Sequence, residues 1–594
     1  MAVKCYVYYF RALKAHKIML FMNVNLNKFK KDILFLPLGG SGEIGLNCNL
    51  YQYDGKWLIV DMGIGFTNEI PGVDVMVPDI AFIKKNLKDC LGILLTHIHE
   101  DHIGAIQYLW EELKLPIYTS KFTATFLRER LSEYEFADQV KIIEIKEGEN
   151  LKLKPFELEF IGLTHSTPEM NAILIKTEKG NILHTGDWKF EEKPVIGNVS
   201  NKKRLKELGN KGEILAAVCE STNVFKTEKC KTETELLKNL KSIMKEHNEG
   251  LIVCAIFASN IARIISLSLA AKAVGRKIGI VGRSIYRILK VANEMNYIPK
   301  GLEFIAEDDL GKYDKKELVI ISTGCQGELT SGLNKLATDT HRTVHLSSGD
   351  TVIFSSSVIP GNEKNIYALY NKLSEKDIKI ITAENNFVHL SGHYTRDELV
   401  EMYKLTKPKI VIATHGEAMH LAEHKRIAKK CGIKVVVKSK NGDLIRIDSE
   451  NPEKTRVIEH LDLTNIAIDG RRMIPLTSHI INERQKMSES GIIFVVLMVD
   501  KNYKLVNVPS ITTAGNYDLY QEKDMKEILE EDIAKSYNSA LNKMANPEDM
   551  TRFDTNEKKE VFLYREVSRT INHIFQLDMG KKPYTVIKIC KVNQ

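Results

Sequence analysis

The amino-acid sequence predicts an α/β protein with several domains, and three observations support this fold class. The chain has 594 residues, more than the roughly 100 to 200 that usually form one domain. Short apolar strands broken by Gly, Asp and Pro occupy residues 33–176, whereas strands alternate with longer helical patterns beyond residue 213. The composition is 43% hydrophobic and 27% charged, and the apolar runs are shorter than the ~18 residues of a membrane helix. The sequence therefore predicts a protein that does not span a membrane.

Sheet and helix signals follow one another along the chain. Asp54-Gly55 lies between two β-rich runs and predicts a tight hairpin, and Asn441-Gly442 predicts a second one. Periodic apolar residues predict helices at 103–113, 122–134, 261–275 and 522–543, the last followed by a further helix and strand. Continuous apolar runs predict strands at 251–257, 277–282 and 492–499.

The stretch Gly40-Ser41-Gly42-Glu43-Ile44-Gly45 fits the glycine pattern of dinucleotide-binding proteins. That pattern binds a pyrophosphate only when its third glycine opens a helix. Here the following residues alternate and lead into the Asp54-Gly55 hairpin, so the setting is strand, loop and strand. We interpret the glycines as residues of a tight turn, with Glu43 either supporting a neighbouring loop or facing solvent.

Charge and cysteine content set limits on partners and compartment. Lys and Arg exceed Asp and Glu by 84 to 77, which permits an anionic partner without requiring one. The nine cysteines include no C-x-x-C pair, so a zinc ribbon is excluded and a reducing, cytoplasmic setting is favoured. Residues 1–31 contain no acid and many basic residues. They predict a disordered or wrongly started segment outside the fold, with a transit-like segment as the alternative.

Residues 91–105, LGILLTHIHEDHIGA, carry a dense set of metal-ligand side chains. His97, His99, Asp101 and His102 follow a buried strand and precede a helix. Two histidines two residues apart in a turn can bind one ion, and the next Asp and His can reach a second ion. This H-x-H-x-D-H pattern resembles the signature of the metallo-β-lactamase superfamily.

That resemblance implies a third histidine and a bridging aspartate, each at the end of a strand. His165 in IGLTHSTPE and Asp187 in NILHTGDWKF stand at such positions. His184 competes with Asp187 as a ligand, but it lies within the strand pattern, and we prefer a packed core histidine there. A carboxylate suits a bridge because it can give one oxygen to each cation.

The resemblance implies that the superfamily fold would be interrupted from about residue 213 to 370, by an inserted α/β domain of the kind that marks the β-CASP nucleases. Three motifs of that group have counterparts here: Glu220 in AAVCESTNV, His393 in VHLSGHYTRDEL, and His415 in IVIATHGEAMHL. Further segments resemble the ribonuclease J family over residues 33–445, namely LPLGGSGEIGLN, FASN, VGRS, STGCQGE, GDTVIFSSSVIPGNEKN, SGH and THGE. Two positions depart from that family. Glu220 replaces the usual Asp, which puts its hydrogen-bond geometry in question, and Cys325 replaces a serine, which we interpret as a packing substitution.

The resemblance implies a metallo-β-lactamase αββα sandwich interrupted by a β-CASP α/β domain, with a small C-terminal α/β domain. The expected boundaries are 32–212 and 371–450 for the two parts of the sandwich, 213–370 for the β-CASP domain, 451–475 for a linker and 476–594 for an assembly domain.

The resemblance also implies two Zn²⁺ ions per chain, with Mn²⁺ or Mg²⁺ as substitutes. One ion would take His97, His99, His165 and Asp187, and the other would take Asp101, His102, Asp187 and His415. Asp187, Glu220 and His393 would be the catalytic residues. The ions would activate a shared water to attack the RNA phosphorus, with His393 donating to the phosphoryl group or the leaving 3′ oxygen and Glu220 orienting His393.

The implied activity is 5′ to 3′ exonuclease action preferring a 5′ monophosphate, together with endonuclease action, in RNA maturation and decay. Single-stranded RNA would contact Ser259, Asn260, His389, Ser391 and Gly392, although Ser259 and Asn260 suit helix capping equally well. A homodimer or homotetramer and an RNA-degradation complex are further implications.

Three alternatives remain. A thioester or lactone hydrolase of the same superfamily would not explain the insertion or His393. A messenger 3′-end-processing endonuclease shares the β-CASP insertion but not the GGSGEIG and PGNEK segments. A catalytically silent RNA-binding scaffold is the alternative of a different class, and the intact ligand set counts against it.

Overall fold

A computed structural model describes residues 25–67, 70–227, 231–545 and 553–592. Most of the basic segment 1–31, up to residue 24, lies outside the described residues. The chain divides into two compact units, one formed by residues 1–66 and 75–465 and the other by residues 67–74 and 466–594. Each unit is described below by itself.

The first unit contains twenty-five strands and twelve α-helices among the described residues. The strands are β1 (Ile33–Gly39), β2 (Ser41–Gly42), β3 (Cys48–Tyr53), β4 (Lys56–Val60), β5 (Gly65–Phe66), β6 (Val75–Val77), β7 (Cys90–Leu94), β8 (Ile117–Thr119), β9 (Ile142–Glu144), β10 (Asn150–Leu153), β11 (Phe156–Gly162), β12 (Asn171–Thr177), β13 (Gly180–His184), β14 (Ile214–Glu220), β15 (Ile252–Ala255), β16 (Lys277–Val281), β17 (Phe304–Ile305), β18 (Leu318–Ser322), β19 (Thr351–Phe354), β20 (Lys379–Ile381), β21 (Ile410–Thr414), β22 (Gly416–Glu417), β23 (Val435–Lys438), β24 (Asp443–Ile447) and β25 (Arg456–His460). The helices are α1 (Ala81–Lys85), α2 (Glu100–Ile103), α3 (Ile106–Leu113), α4 (Lys121–Leu131), α5 (Lys202–Asn210), α6 (Glu233–Glu246), α7 (Ile261–Ala273), α8 (Arg283–Glu294), α9 (Gly332–Ala337), α10 (Glu363–Ser374), α11 (Arg396–Thr406) and α12 (Ala418–Lys430).

Two large sheets of the first unit face each other across an apolar core. One has the strand order β25-β24-β1-β3-β4-β7-β8-β9 and the other β10-β11-β12-β13-β14-β21-β23. Side chains such as Phe35 and Leu94 from the first sheet pack against Phe160 and Ile412 from the second. Helices α5, α11 and α12 cover the outer face of the second sheet, and Phe82 of α1 packs edge-on against Trp57 on the other side. The result is the predicted αββα sandwich.

A third sheet, of six strands in the order β17-β16-β18-β15-β19-β20, interrupts the sandwich. All its pairings are parallel, and α9 and α10 bury Leu333, Leu336, Leu369 and Leu373 against it. This is the predicted inserted α/β domain.

The structure moves several boundaries and removes one predicted hairpin. Strand β14 pairs with β13 and β21, so it belongs to the sandwich and not to the insertion that we predicted to begin at 213. Strand β20 belongs to the inserted sheet although it lies beyond the predicted boundary at 370. The turn at Asn441-Gly442 joins β23 of one sheet to β24 of the other, because the chain crosses the sandwich there. The Asp54-Gly55 hairpin is confirmed by the pairing of β3 with β4.

The second unit contains a β-hairpin and a helix-covered sheet. Strands β26 (Ile466–Asp469) and β27 (Arg472–Pro475) pair where the sequence predicted a linker. Strand β28 (Ile492–Val499) lies between β29 (Ser510–Ala514) and β30 (Tyr584–Lys591). Helices α14 (Lys523–Met544) and α15 (Asn556–Asp578) pack on this sheet through Ile533, Tyr537 and Ile571, while α13 (His479–Ser490) precedes β28. No described helix of either unit is long and apolar enough to cross a membrane.

Candidate metal centre

The candidate site lies where strands of both large sheets end. Strands β13, β14 and β21 are parallel neighbours, and Asp187, Glu220 and His415 follow or end them at the same edge. Strands β4 and β7 are also parallel, and Asp61 and the segment beginning at Thr96 follow them. Carboxyl ends of parallel strands meet at one edge of a sheet, which brings together residues distant in sequence.

His97, His99 and His165 form a first set of side chains, here called the histidine group, whose ligand atoms all lie within 4.8 Å of one another. Nε2 of His165 lies 3.1 Å from Nδ1 of His99. Burial lowers the pKa of His99 to about 4 and holds the pKa values of His97 and His165 well below the usual value. The three rings are therefore neutral at pH 7, with lone pairs available for a cation.

Neighbouring groups determine which nitrogen each ring presents. The Thr96 hydroxyl donates to Asp61 (2.9 Å to Oδ2) and accepts from Nδ1 of His97 at 2.9 Å, which leaves Nε2 of His97 without a proton. Nδ1 of His165 donates to the carbonyl oxygen of Gly392 at 2.7 Å, which leaves Nε2 of the neutral ring without a proton. Such contacts orient histidines for metal binding.

Asp101, His102, Asp187 and His415 form a second set, here called the carboxylate group, whose ligand atoms also lie within 4.8 Å of one another. Oδ1 of Asp187 lies 2.8 Å from Nδ1 of His415, and its Oδ2 lies 3.1 Å from Nε2 of His102. Nδ1 of His102 donates to Asp61 at 2.7 Å. Asp61 therefore orients one histidine of each group, directly for His102 and through Thr96 for His97.

Paired charges set the pKa values in the carboxylate group. Burial alone lowers the pKa of His415, but Asp187 and Asp101 raise it to about 10. The same kind of balance holds the pKa of His102 well above its usual value, with Asp187 the strongest opposing charge. Burial raises the pKa of Asp187, yet His415 and His102 outweigh burial and hold it well below the usual range. The two aspartates are therefore ionised in the neutral pH range.

Asp187 lies close to the histidine group and also to His393. Ligand atoms of His165, Asp187 and His393 lie within 4.8 Å of one another, and Oδ2 of Asp187 is 3.9 Å from Nδ1 of His393. Oε2 of Glu220 accepts from Nδ1 of His393 at 2.8 Å, while Oε1 of Glu220 accepts from the backbone N–H of Trp188 at 2.9 Å. The Glu220 side chain thus reaches His393 with good geometry, which answers the question raised by its replacement of Asp. Burial lowers the pKa of His393, but the Glu220 carboxylate raises it above the usual value.

The residues predicted to bind substrate occupy two different settings. Ser391 and Gly392 directly precede His393, and the Ser391 hydroxyl accepts from Nδ2 of Asn223 at 2.9 Å. Asn260 caps α7, because its Oδ1 accepts from the N–H of Arg263 at 2.9 Å, as the capping alternative predicts. Ser259 lies beside it and is partly exposed. His389 is directed at the carbonyl oxygen of Ser355 (3.2 Å) and at Arg263.

Two further predictions concern side chains near the site. Nδ1 of His184 lies 2.8 Å from the Tyr51 hydroxyl, and His184 belongs to none of the ligand sets among the described residues, so it is a packed histidine. Cys325 is buried in the core of the inserted domain, where burial raises its thiol pKa to about 12. A thiol of that pKa is unreactive, which agrees with a packing role.

Sequence reasoning missed Asp61, Thr96 and Asn47. Nδ2 of Asn47, from the glycine-rich stretch, lies 3.2 Å from Nε2 of His102. Asp61 carried one signal, since it directly follows the apolar run WLIV of a buried strand, as His97 does after its own strand. Thr96 and Asn47 carried none, because their role depends on pairing across the sheet edge.

The side chains of the histidine group and of the carboxylate group have the chemistry to bind metal. Nε2 of His97 is buried and has no hydrogen-bond partner, an arrangement that is costly unless a cation takes the lone pair. Imidazoles and carboxylates in sets of three and four are the ligands that Zn²⁺ and similar ions use.

Comparisons with known families agree with this geometry. Family models match as follows: the metallo-β-lactamase superfamily at residues 42–217, the ribonuclease J β-CASP domain at 249–373, the Zn-dependent metallo-hydrolase RNA specificity domain at 377–438, and the ribonuclease J C-terminal domain at 479–592. A solved structure of a protein of unknown function from Enterococcus faecalis V583 covers 70% of this chain and 100% of its own, with a TM-score of 0.50 and 16% identity. That likeness concerns the fold alone.

Three curated relatives extend the match along the chain. Ribonuclease J of Sinorhizobium meliloti is 36% identical over 95% of this chain and 98% of its own length. Ribonuclease J of Helicobacter pylori is 32% identical over 89% of this chain and 77% of its own, and ribonuclease J2 of Bacillus subtilis is 31% identical over 82% and 88%. The identity runs across the sandwich, the insertion and the second unit, and the chain belongs to the ribonuclease J family.

Proposed function

We propose that this chain, a hydrolytic ribonuclease by its family, degrades single-stranded RNA as a 5′ to 3′ exonuclease that prefers a 5′ monophosphate and also cuts internally. One observation carries the proposal: the histidine group and the carboxylate group meet at Asp187, and His393 lies beside that same carboxylate. Two cation sites next to a proton donor suit hydrolysis of a phosphodiester.

In this proposal the two sites hold zinc, with Mn²⁺ or Mg²⁺ as alternatives. His97, His99, His165 and Asp187 hold one ion, and Asp101, His102, Asp187 and His415 hold the other. When bound, the ions supply Lewis-acid stabilisation of phosphate charge and lower the pKa of water. The buried Asp187 lies 2.8 Å from His415 in the carboxylate group, and its ligand atom also lies within 4.8 Å of that of His165 in the histidine group, which supports its role as the shared ligand.

His393 and Glu220 are the proton-transfer pair of the proposal. Nδ1 of His393 is held by Glu220, so Nε2 is the atom left to face the substrate. Glu220 raises the pKa of the ring and so favours its protonated form, which can donate a proton from Nε2 to the leaving 3′ oxygen. Glu220 does not reach the substrate in this scheme, and its task is to hold the ring and its charge.

The proposal places the 5′ phosphate near Ser391 and Gly392, with Ser259, Asn260 and His389 on the side of the inserted domain. A hydroxyl and a backbone N–H are suitable donors to phosphate oxygens. A homodimer or homotetramer, membership in an RNA-degradation complex and a cytoplasmic location also belong to the proposal, supported by family membership alone.

The decisive experiment follows one RNA labelled at each end in turn and carrying either a 5′ monophosphate or a 5′ triphosphate. The zinc-loaded protein is compared with Asp187→Ala. Release of mononucleotides from the monophosphorylated 5′ end by the wild type, with no release by Asp187→Ala, is the expected result. Binding of RNA without cleavage by either protein would overturn the proposal in favour of a silent scaffold.

A further inference from the structure

Arg263, in the first turn of α7, is a buried arginine aimed at the segment that precedes His393. Its side chain is fully buried. Its guanidinium donates to the carbonyl oxygens of Val388 (3.2 Å) and Leu390 (3.3 Å), and to the hydroxyl of Ser355 at 2.7 Å. The Ser355 hydroxyl in turn donates to the carbonyl oxygen of Val388 at 2.5 Å. One side chain therefore contacts alternate carbonyls of a single segment.

Three other buried charges accompany Arg263. Oε1 of Glu233, at the start of α6, lies 3.5 Å from Nη2 of Arg263 and 3.5 Å from Nζ of Lys189. Nζ of Lys189 also lies 3.7 Å from Oε2 of Glu191. Two cations and two anions thus share one buried cluster. Such pairing is expected, because an unpaired buried charge is strongly destabilising. The cluster joins the inserted domain to the loop that follows Asp187.

The segment 388–393 is also held from the opposite side. The carbonyl oxygen of Gly392 accepts from Nδ1 of His165, and Asn223 donates to the Ser391 hydroxyl and to the carbonyl oxygen of His393 (3.3 Å). Residues 391–393 therefore stand between a ligand of the histidine group and the Arg263 cluster. A shift of the carbonyls at 388 and 390 would move Ser391, Gly392 and His393 together.

We propose that Arg263 is a positioning residue. By donating hydrogen bonds to the carbonyl oxygens of Val388 and Leu390, it fixes the position of residues 391–393. This inference rests on the proposed function for its effect on catalysis. The planar guanidinium suits the task, since its several N–H groups are fixed in one fork and can bind separated acceptors at once. A lysine keeps the charge near Glu233 but cannot hold both carbonyls and the Ser355 hydroxyl in one geometry.

Arg276, three residues beyond the other end of α7, provides a matched control. It is also buried, and it also donates to backbone carbonyls: Gly250 (2.8 Å), Leu318 (3.0 Å) and His247 (3.0 Å). Leu318 begins β18, Gly250 lies two residues before β15, and His247 directly follows α6. The strand ends near these carbonyls are the opposite ends from Ala255 and Ser322. Arg276→Lys removes the same chemistry from the same domain without touching segment 388–393.

The test compares zinc-loaded wild type, Arg263→Lys and Arg276→Lys. Amide hydrogen exchange is measured over the whole chain, with attention to residues 386–394, and kcat and KM are measured on RNA with a 5′ monophosphate. Arg263→Lys is expected to speed exchange at 389–393 about tenfold or more and to lower kcat by about 10- to 100-fold, with zinc content unchanged. Arg276→Lys is expected to speed exchange near 247–250 and to leave kcat within about twofold of the wild type.

Unchanged exchange at 389–393 in Arg263→Lys, or an equal fall of kcat in both variants, would overturn the positioning role. Should Arg263→Lys not fold, Ser355→Ala decides the matter, because it removes the hydroxyl that Arg263 and Val388 share while keeping the charges. Exchange at 389–393 must then rise, and no change would refute the inference. Exchange does not depend on RNA cleavage, so an inactive wild type would refute the proposed function while the exchange result still decides the role of Arg263.

Discussion

The histidine group and the carboxylate group lie side by side, yet their histidines differ in protonation. Burial leaves His97, His99 and His165 neutral at pH 7, whereas Asp101 and Asp187 keep protons on His102 and His415. The first group is ready for a cation, and the second is already neutralised by its own protons. Neighbouring sites made of similar residues therefore differ in what a metal must displace.

The difference shows what Asp187 contributes beyond a ligand oxygen. It is the strongest charge raising the pKa of both His102 and His415, and it stands between the two groups. Removing its charge should leave the histidine group nearly intact and disable the carboxylate group. Single substitutions therefore test the difference between the two groups.

The largest effect is expected from Asp187→Asn. We expect kcat/KM to fall on the order of 10³-fold or more. The proposed ligands of the two sites act as a unit, so losing the one that both sites share should cost about as much as losing the whole set. Metal analysis of the purified variant should show the histidine group loaded and the carboxylate group depleted. A variant that kept two ions per chain would show that Asp187 is not a required ligand.

A smaller effect is expected from Glu220→Gln. The amide keeps an oxygen for the Trp188 N–H but removes the carboxylate that raises the pKa of His393 against the lowering effect of burial. In the proposed function His393 is the proton donor, and a donor stops working when the pH rises through its pKa. The alkaline limb of the rate profile of Glu220→Gln should therefore move to lower pH.

The kcat of Glu220→Gln at pH 8 should fall by about 10- to 100-fold, while its zinc content stays that of the wild type. His393→Ala is the matched variant, with the same zinc content and no alkaline limb governed by His393. An alkaline limb unmoved in Glu220→Gln would contradict the role of the pair.

Metal uptake by the two groups should differ in its dependence on pH. The His415 pKa of about 10 means that a cation entering the carboxylate group must expel a proton at neutral pH, so its affinity should rise about tenfold per pH unit for each proton. The histidine group has no such competitor above pH 6, because its pKa values are lowered. Zinc titration calorimetry in two buffers of different ionisation enthalpy should show proton release for one site. Equal pH dependence at both sites would contradict the distinction.

The smallest effects are expected in the glycine-rich stretch that borders the carboxylate group. Gly40 and Gly42 have φ values of +80° and +92°, and a Cβ at Gly40 would lie 2.4 Å from Oδ1 of Asn47, whereas one at Gly42 would meet nothing within 4 Å. Gly42→Ala should cost about 1 to 2 kcal/mol of unfolding free energy from backbone strain alone. Gly40→Ala should cost more and also weaken zinc binding, because Asn47 contacts His102. Equal melting temperatures for the two variants would contradict this ranking.

Much of the site could be predicted because its ligands follow strands as short motifs. His97 to His102 lie within six residues, and His165, Asp187 and His415 each follow an apolar run, so pattern and resemblance locate them. The structure brings all seven predicted ligand side chains together. The same reasoning identified the pairing of β3 and β4 from Asp54-Gly55, since a two-residue turn is a local signal.

The rest depends on contacts that no local pattern encodes. Strand β14 looks like the start of the insertion, and only its pairing with β13 and β21 assigns it to the sandwich. Asn441-Gly442 has the residues of a hairpin turn, but β24 pairs with β25 and with β1, which lies some four hundred residues earlier, and not with β23. In the sequence Arg263 looks like an ordinary helix residue. Its contacts with residues 388–390 could not be predicted, because those residues lie more than 120 positions away along the chain.

The spread of the ligands along the chain has a consequence for synthesis on the ribosome. His97 is made about 320 residues before His415, and the whole inserted sheet is made between them. At roughly 5 to 20 residues per second, translation needs on the order of 15 to 60 s to cover that interval. Once His165 has been made, the nascent chain carries the whole histidine group, while the carboxylate group still lacks His415. The complete set of ligand side chains can therefore form only after translation has passed His415.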